Sequence, residues 1–337
     1  MTLPDSPWPD LAAAQSFMRQ LAGSMAPGPA PLPVASLAAW LTRHELGPAA
    51  WFRFRAVWPA LGAALRADAL AATAENRIHL TALNRALTAL EPTGIPVLIL
   101  KGAALLHLYD APGLRTMSDV DFWIQPEQSE AAIAALLAAG FGPQFPDRPI
   151  QLSQSGKLKL IHPQLAAAGL ELHSYPYTGQ WLRNAARIDQ QSVWERRHYL
   201  AVGDGVAWQP DATDLFLHVA VHLAVNHQFD RSTFRNLLDL ATLCHKQPPD
   251  WPALLARANA WGLRTALWLP LWLLEQLFAP PGVAACLPQL APAFPRRQLL
   301  TRWLAPTRVL TGRQLNNPLA RRLLLLSLCD HPSRLPR

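Results

Sequence analysis

The chain has 337 residues, 50% hydrophobic and only 16% charged, which excludes a disordered chain and allows two or three modules around a sizeable core. Its net charge of +7 suits an anionic ligand such as a nucleotide, a nucleic acid or a phosphorylated carbohydrate. Lysine occurs only at 101, 157, 159 and 246, so the basicity is nearly all scattered arginine, which a compositional bias explains as well as a binding surface does.

In chain order, the N-terminus carries Asp5 and Asp10 without an apolar core region and does not resemble a signal peptide. The first thirty or so residues end in a Pro/Ala/Gly loop. From Ala35 to about Glu91 apolar residues recur at three- and four-residue spacing, which predicts helix. Ile95–Leu100 is a short apolar run after Gly94 and predicts a buried strand. Gly102 opens a helix through about Tyr109, and Pro112-Gly113 turns the chain into a strand holding Asp119. Pro126 and Glu127 open a helix to Ala139, with Gly140 as its C-cap. Phe141 to Ser155 reads as irregular, and Lys157–Ile161 and Leu170–His173 as two strands joined by a loop. Asp211 caps a helix to about Asn226, Phe234–Cys244 is another, and the remainder is mostly helical; the whole chain's 32 prolines are expected to cut helices short. The most apolar run, Ala266 to Ala279, is broken by Pro270 and Glu275 and is too short to span a bilayer, so a buried helix or helix pair in a soluble protein is expected. Cys244, Cys286 and Cys329 are odd in number and far apart; they form no disulfide framework or metal spacing and point to a reducing cytosol.

The densest chemistry lies in Arg115-Thr-Met-Ser118-Asp119-Val-Asp121. Asp-x-Asp is common in solvated turns, but the Phe122-Trp123-Ile124 that follows belongs in a core strand. In a strand, Asp119, Asp121 and Trp123 share one face while Val120, Phe122 and Ile124 enter the core. Two carboxylates that close repel unless a cation sits between them, and Mg²⁺ prefers oxygen ligands. Glu171, in another short apolar segment, is the candidate third carboxylate. Lys101, between a buried strand and a helix start, is placed to contact a triphosphate, and the helix N–H groups at Gly102 can hold phosphate. His173 shares a face with Glu171 and suits a bracing role more than direct ligation. His218 and His222 have zinc-compatible spacing, with His227 beyond, but no third ligand is identifiable. Arg235 and Asp239 read as a helix-surface ion pair.

The segment Ile95 to Phe141 resembles the uncharacterised nucleotidyltransferase family of the polymerase-β-like superfamily. The resemblance rests on Leu100-Lys101-Gly102, then Tyr109, Pro112, Gly113, Arg115, Ser118, Asp119 and Asp121, then Gly140-Phe141 and, later, Glu171-Leu172-His173. It is dense over about fifty residues and looser beyond them. It departs from the wider superfamily in having Lys-Gly at the first helix, which is typical of this family, and Glu at the third acidic position, where Asp is commoner. It also places His222 and Asp239 in the family's C-terminal helical pattern, where they would brace the site.

The expectation is an α+β nucleotidyltransferase core with a mixed sheet at 92–205, an N-terminal helical segment at 1–91 and a C-terminal helical domain at 206–337. Asp119, Asp121 and Glu171 are the expected catalytic and Mg²⁺-binding residues, and Lys101, Gly102, Arg115 and Ser118 the expected phosphate-positioning residues. The reaction implied is transfer of a nucleoside monophosphate from a nucleoside triphosphate, ATP among them, to a hydroxyl of a small molecule, carbohydrate, peptide or protein. Two rivals stand beside it: a non-catalytic nucleotide-sensing or complex-forming protein, and an RNA-directed transferase. The first has less need of all three carboxylates; the second requires a continuous basic groove.

Overall fold

The computed structural model describes residues 7–29, 32–145, 152, 156–202, 205–312 and 317–331. Residues beyond Phe145 in the stretch expected to be irregular lie, Leu152 excepted, outside the described residues. The contacts divide the chain into two compact units: Leu70–Gln180 with Ile188–Leu215, and Met1–Ala69 with Trp181–Arg187 and Phe216–Arg337.

The unit beginning at Leu70 is built on a mixed sheet. Among the described residues its strands are β1 (Leu98–Ile99), β2 (Asp119–Trp123), β3 (Gly142–Pro143), β4 (Lys157–Ile161), β5 (Gly169–His173), β6 (His198–Val202) and β7 (Gly205–Gln209), in the order β3-β4-β5-β2-β1-β7-β6. The three strands β4, β5 and β2 share one pattern. Leu158 and Leu160, Leu170 and Leu172, and Val120 and Phe122 are all buried, alternating with charged or polar neighbours. Each such side chain contributes roughly 1.5–3 kcal/mol by leaving water. A one-residue slip of any strand would turn that set outward, so burial locks the register.

The expected strand at Ile95–Leu100 pairs only over Leu98–Ile99, because Pro96 has no N–H to offer a ladder. Two bonds flank these residues: Leu100 N donates to Asp121 O at 2.9 Å and Trp208 N to Val97 O at 2.8 Å. The helix expected from Gly102 runs as Lys101–Leu105 and tightens into a 3₁₀ turn at Leu106–Leu108. The antiparallel pair β6–β7 has no counterpart in the sequence reading. Its outward residues Tyr199 and Val206 are exposed and apolar, which blurs the alternation that would have marked it.

The other unit is helical. Within the stretch expected to be helical, 1–91, a helix at Leu11–Leu21 is capped by Asp10, whose carboxylate accepts from Ala13 N at 2.8 Å. The apolar run at 266–279 lies in one buried helix, Arg264–Leu277, that carries Pro270 inside it. Asp211 does cap the helix Ala212–Val221, accepting from Asp214 N, but the last turns widen into a π-helix at His222–His227. Of Arg235 and Asp239, expected as a helix-surface ion pair, Asp239 is fully buried and so does not lie on the surface, and Arg235 lies 2.6 Å from Glu45. Among the described residues no helix is long and apolar enough to cross a membrane. The α+β architecture, with helical segments before and after the sheet in the chain, is as expected.

Candidate metal centre

The site is a consequence of strand register. β2 and β5 pair in parallel with Asp121 opposite Glu171 and Trp123 opposite His173. β4 runs antiparallel on the other side of β5, with Lys159 opposite Glu171 and Lys157 opposite His173. Residues directly opposite in a ladder point to the same face. The alternation that buries the leucines therefore collects Asp119, Asp121, Glu171, His173, Lys157 and Lys159 on the other face.

At its centre Asp121, Glu171 and His173 are buried, and one ligand atom from each lies within 4.8 Å of the others. His173 Nε2 is 2.7 Å from Asp121 Oδ1 and 3.1 Å from Glu171 Oε2. As a donor, this nitrogen bridges two carboxylates that would otherwise repel. The ring's other nitrogen, Nδ1, is buried without a hydrogen-bond partner among the described residues. An Nε2–H tautomer leaves a lone pair there instead of an orphaned N–H. His173 thus braces both acids; joining them around an ion through Nε2 would require its proton to move to Nδ1.

Cations crowd the same acids. Lys101 Nζ lies 2.7 Å from Asp121 Oδ1, and Lys157 Nζ 2.9 Å from Glu171 Oε2. Lys159 Nζ straddles Asp119 Oδ2 at 3.4 Å and Glu171 Oε1 at 3.6 Å. Burial pushes the Asp121 carboxyl up, but the Lys101 ammonium and the His173 hydrogen bond outweigh it and hold the group well below the usual carboxylate range. For Glu171, burial again pushes up, and the His173 hydrogen bond and the Lys157 charge pull the carboxyl down to about 2. Burial would lower Lys159, yet Glu171 and Asp119 raise its ammonium above the ordinary value. Asp121, Glu171 and Lys159 are therefore ionised near neutral pH.

The loop that precedes β2 is fastened from below. Asn76, fully buried on the helix Pro59–Leu90, donates from Nδ2 to the carbonyls of Pro112 and Arg115. Gly113 packs so closely on Thr73 that a Cβ there would overlap the threonine side chain. The Pro-Gly-x-Arg run is thus a clamped turn, and glycine is required by contact with the helix. Arg115 is buried and donates from Nη1 to Thr116 O at 3.1 Å. A Cβ on Gly102 would lie 2.6 Å from that same Nη1, so Gly102 leaves room for the guanidinium. Ser118 is exposed, and its hydroxyl donates to Asp119 Oδ1 at 3.2 Å. Lys101 sits at φ +46°, a left-handed conformation costing a non-glycine residue roughly 1–2 kcal/mol. Strain of this kind persists where surrounding structure holds it, and function is a common reason.

The structure thus brings Asp121 and Glu171 into one tight cluster, places Asp119 beside it through Lys159, and sets Lys101 against Asp121. Lys157, Lys159 and Asn76 had no assigned role in the sequence reading. The first two carried a signal all the same: alternating lysine in a chain that has only four. Among the described residues this is the one group of three or more His, Cys, Asp or Glu close enough to hold a metal; the histidines at 218, 222 and 227 do not form another. The donor set fits a hard divalent cation: carboxylate oxygens on one rigid sheet face, with ammonium groups lying where positive charge is needed.

Comparison with known proteins agrees with the geometry. The profile of a family described as uncharacterised nucleotidyltransferase matches residues 33–279. No curated protein matches the chain. The chain belongs to that family, within the polymerase-β-like superfamily, and its buried acidic and histidine cluster is consistent with catalysis of nucleotidyl transfer.

Proposed function

We propose that this member of the family is a Mg²⁺-dependent enzyme that moves a nucleoside monophosphate from a nucleoside triphosphate to an acceptor hydroxyl. The observation that carries the reading is the in-register pairing of β2 with β5, which sets Asp121 opposite Glu171 in a buried, ionised cluster beside Asp119. Asp119, Asp121 and Glu171 would hold the metal, which when bound as a pair of ions stabilises the attacking and leaving oxygens of an in-line displacement.

The chain's own groups divide the remaining work. Lys101 gives the donor phosphates a point charge that exchanges its partner Asp121 for phosphate oxygen. Ser118 offers a hydroxyl at the exposed rim, and the backbone N–H groups at the Gly102 helix start would contact the phosphates. Arg115, beneath Gly102, supplies a buried positive charge and keeps the loop in place. Glu171 faces the acceptor. A carboxylate held at about 2 is a weak proton store, so it helps deprotonation by orienting the acceptor O–H more than by keeping the proton. His173 keeps Asp121 and Glu171 at fixed separation. The three cysteines are buried and form no disulfide among the described residues, which suits a cytosolic enzyme.

The test uses the purified full chain with Mg²⁺, cell extract and nucleoside triphosphates labelled in turn at the α- and γ-phosphate. Transfer of α-label, abolished by Asp121→Asn, is the expected result. Transfer of γ-label only would indicate phosphoryl transfer, and no transfer of either would favour the nucleotide-sensing alternative.

A further inference from the structure

Three of the four lysines in a chain otherwise basic through arginine converge on this one cluster, and they come from opposite sides of it. Lys101 follows β1 and reaches Asp121 from the side assigned above to the donor phosphates. Lys157 and Lys159 stand on β4, which flanks β5 on the side away from β2. Both address Glu171, the carboxylate assigned to the acceptor, at 2.9 and 3.6 Å. On this rim two ammonium groups face two carboxylates, Glu171 and Asp119, so a divalent cation bound by those carboxylates would leave net positive charge there. The two side chains are 26% and 43% exposed while Glu171 is 8% exposed, so the ammonium groups form the outer, solvent-facing layer of the site.

Residue choice points the same way. An arginine here would lock onto a carboxylate through its planar fork, whereas lysine is a compact charge on a flexible stem that can change partners. Once Glu171 and Asp119 are engaged by a divalent cation, their hold on Lys157 and Lys159 weakens. The two flexible ammonium groups can then turn towards another anion, next to the place where the acceptor hydroxyl must lie.

Resting on the metal-dependent reading above, we propose that Lys157 and Lys159 form an anion subsite for the acceptor, which is therefore a hydroxyl compound bearing a phosphate or carboxylate group close to the reacting oxygen.

The experiment is a two-stage calorimetric titration of the full chain. The first stage loads the protein with Mg²⁺ and a triphosphate analogue that resists α,β-cleavage. The second titrates glycerol 3-phosphate, glycerate and glycerol, three probes that share a carbon skeleton and differ mainly in charge. Wild type should bind both anions, the phosphate more tightly, and show no binding of glycerol. Lys157→Ala and Lys159→Ala should each weaken the anions at least tenfold without weakening the nucleotide analogue. Lys159→Arg should retain part of the preference, and Lys246→Ala, on the other unit, should change nothing. A normal first stage followed by no charge preference, or by a preference that survives both alanine variants, would overturn the subsite alone. Failure of the first stage in wild type would overturn the donor reading, and this inference with it.

Discussion

Replacing Asp121 tests the site at its most connected atom. Its Oδ1 accepts from both Lys101 Nζ and His173 Nε2 at 2.7 Å, in a side chain only 6% exposed. Asp121→Ala removes the acceptor and strands the Lys101 ammonium, itself only 14% exposed. Breaking a buried pair from one end costs about 3–5 kcal/mol, and the small exposure of Lys101 places the expected loss near the lower limit, at about 3 kcal/mol. Asp121→Asn retains an oxygen at the same position, so it should cost about 1–2 kcal/mol, the difference between charge-assisted and neutral hydrogen bonds. Adding Lys101→Met to Asp121→Ala removes the stranded charge and should recover about 2 kcal/mol, a coupling that a double-mutant cycle reads directly. Urea unfolding of the full chain in chelator measures these stabilities. Calorimetry with Mg²⁺ and a non-hydrolysable triphosphate measures binding, which should fall at least ~100-fold in Asp121→Asn, since even partners of metal ligands are worth 10–100-fold. Additive effects of the two substitutions would refute the buried pair. Unchanged Mg²⁺-dependent affinity in Asp121→Asn would refute the metal assignment.

Glu171→Gln should collapse turnover with little change in donor affinity, whereas Lys101→Ala should chiefly weaken donor binding; steady-state kinetics with an identified acceptor would separate them, and the reverse pattern would exchange the two roles. Gly113→Ala forces a methyl group onto Thr73 and should destabilise the sheet unit by about 1–3 kcal/mol, visible as a lower unfolding midpoint; a neutral effect would mean the turn is not clamped. His44, buried between Trp40 and Phe234, is pushed by burial and then by Arg43 from 6.5 to about 4. Because the unfolded chain takes up the proton first, stability is full above pH 6.5 and is lost as pH falls towards 4, by up to about 3 kcal/mol at 1.36 kcal/mol per unit. His44→Leu should flatten that part of the profile in thermal unfolding at pH 7.5 and 4.5, and an identical drop in both proteins would exclude His44 as its source.

Much of this site was legible in the chain itself because side-chain facing along a strand is a local property. The alternation through Asp119–Trp123 placed both aspartates on one face and Val120 and Phe122 on the other, as found, and the alternation through Leu170–His173 did the same for Glu171 and His173. Asp211 announced a helix start for a similarly local reason, since its carboxylate satisfies an N–H three residues on. Other features depended on partners distant in sequence. Nothing in the period of β5 says that it lies beside β2 in parallel with Glu171 against Asp121, or that β4 adds two lysines to the same face; those pairings are decided by which arrangement buries the leucine faces together. The short β1 shows the reverse, where Pro96 limited a ladder that apolar composition alone had suggested would be longer. Asn76 is the clearest case: one polar residue among several in a long helix, without local meaning, it becomes the clamp on the Pro112–Arg115 turn because folding leaves two carbonyls there that must be satisfied away from water.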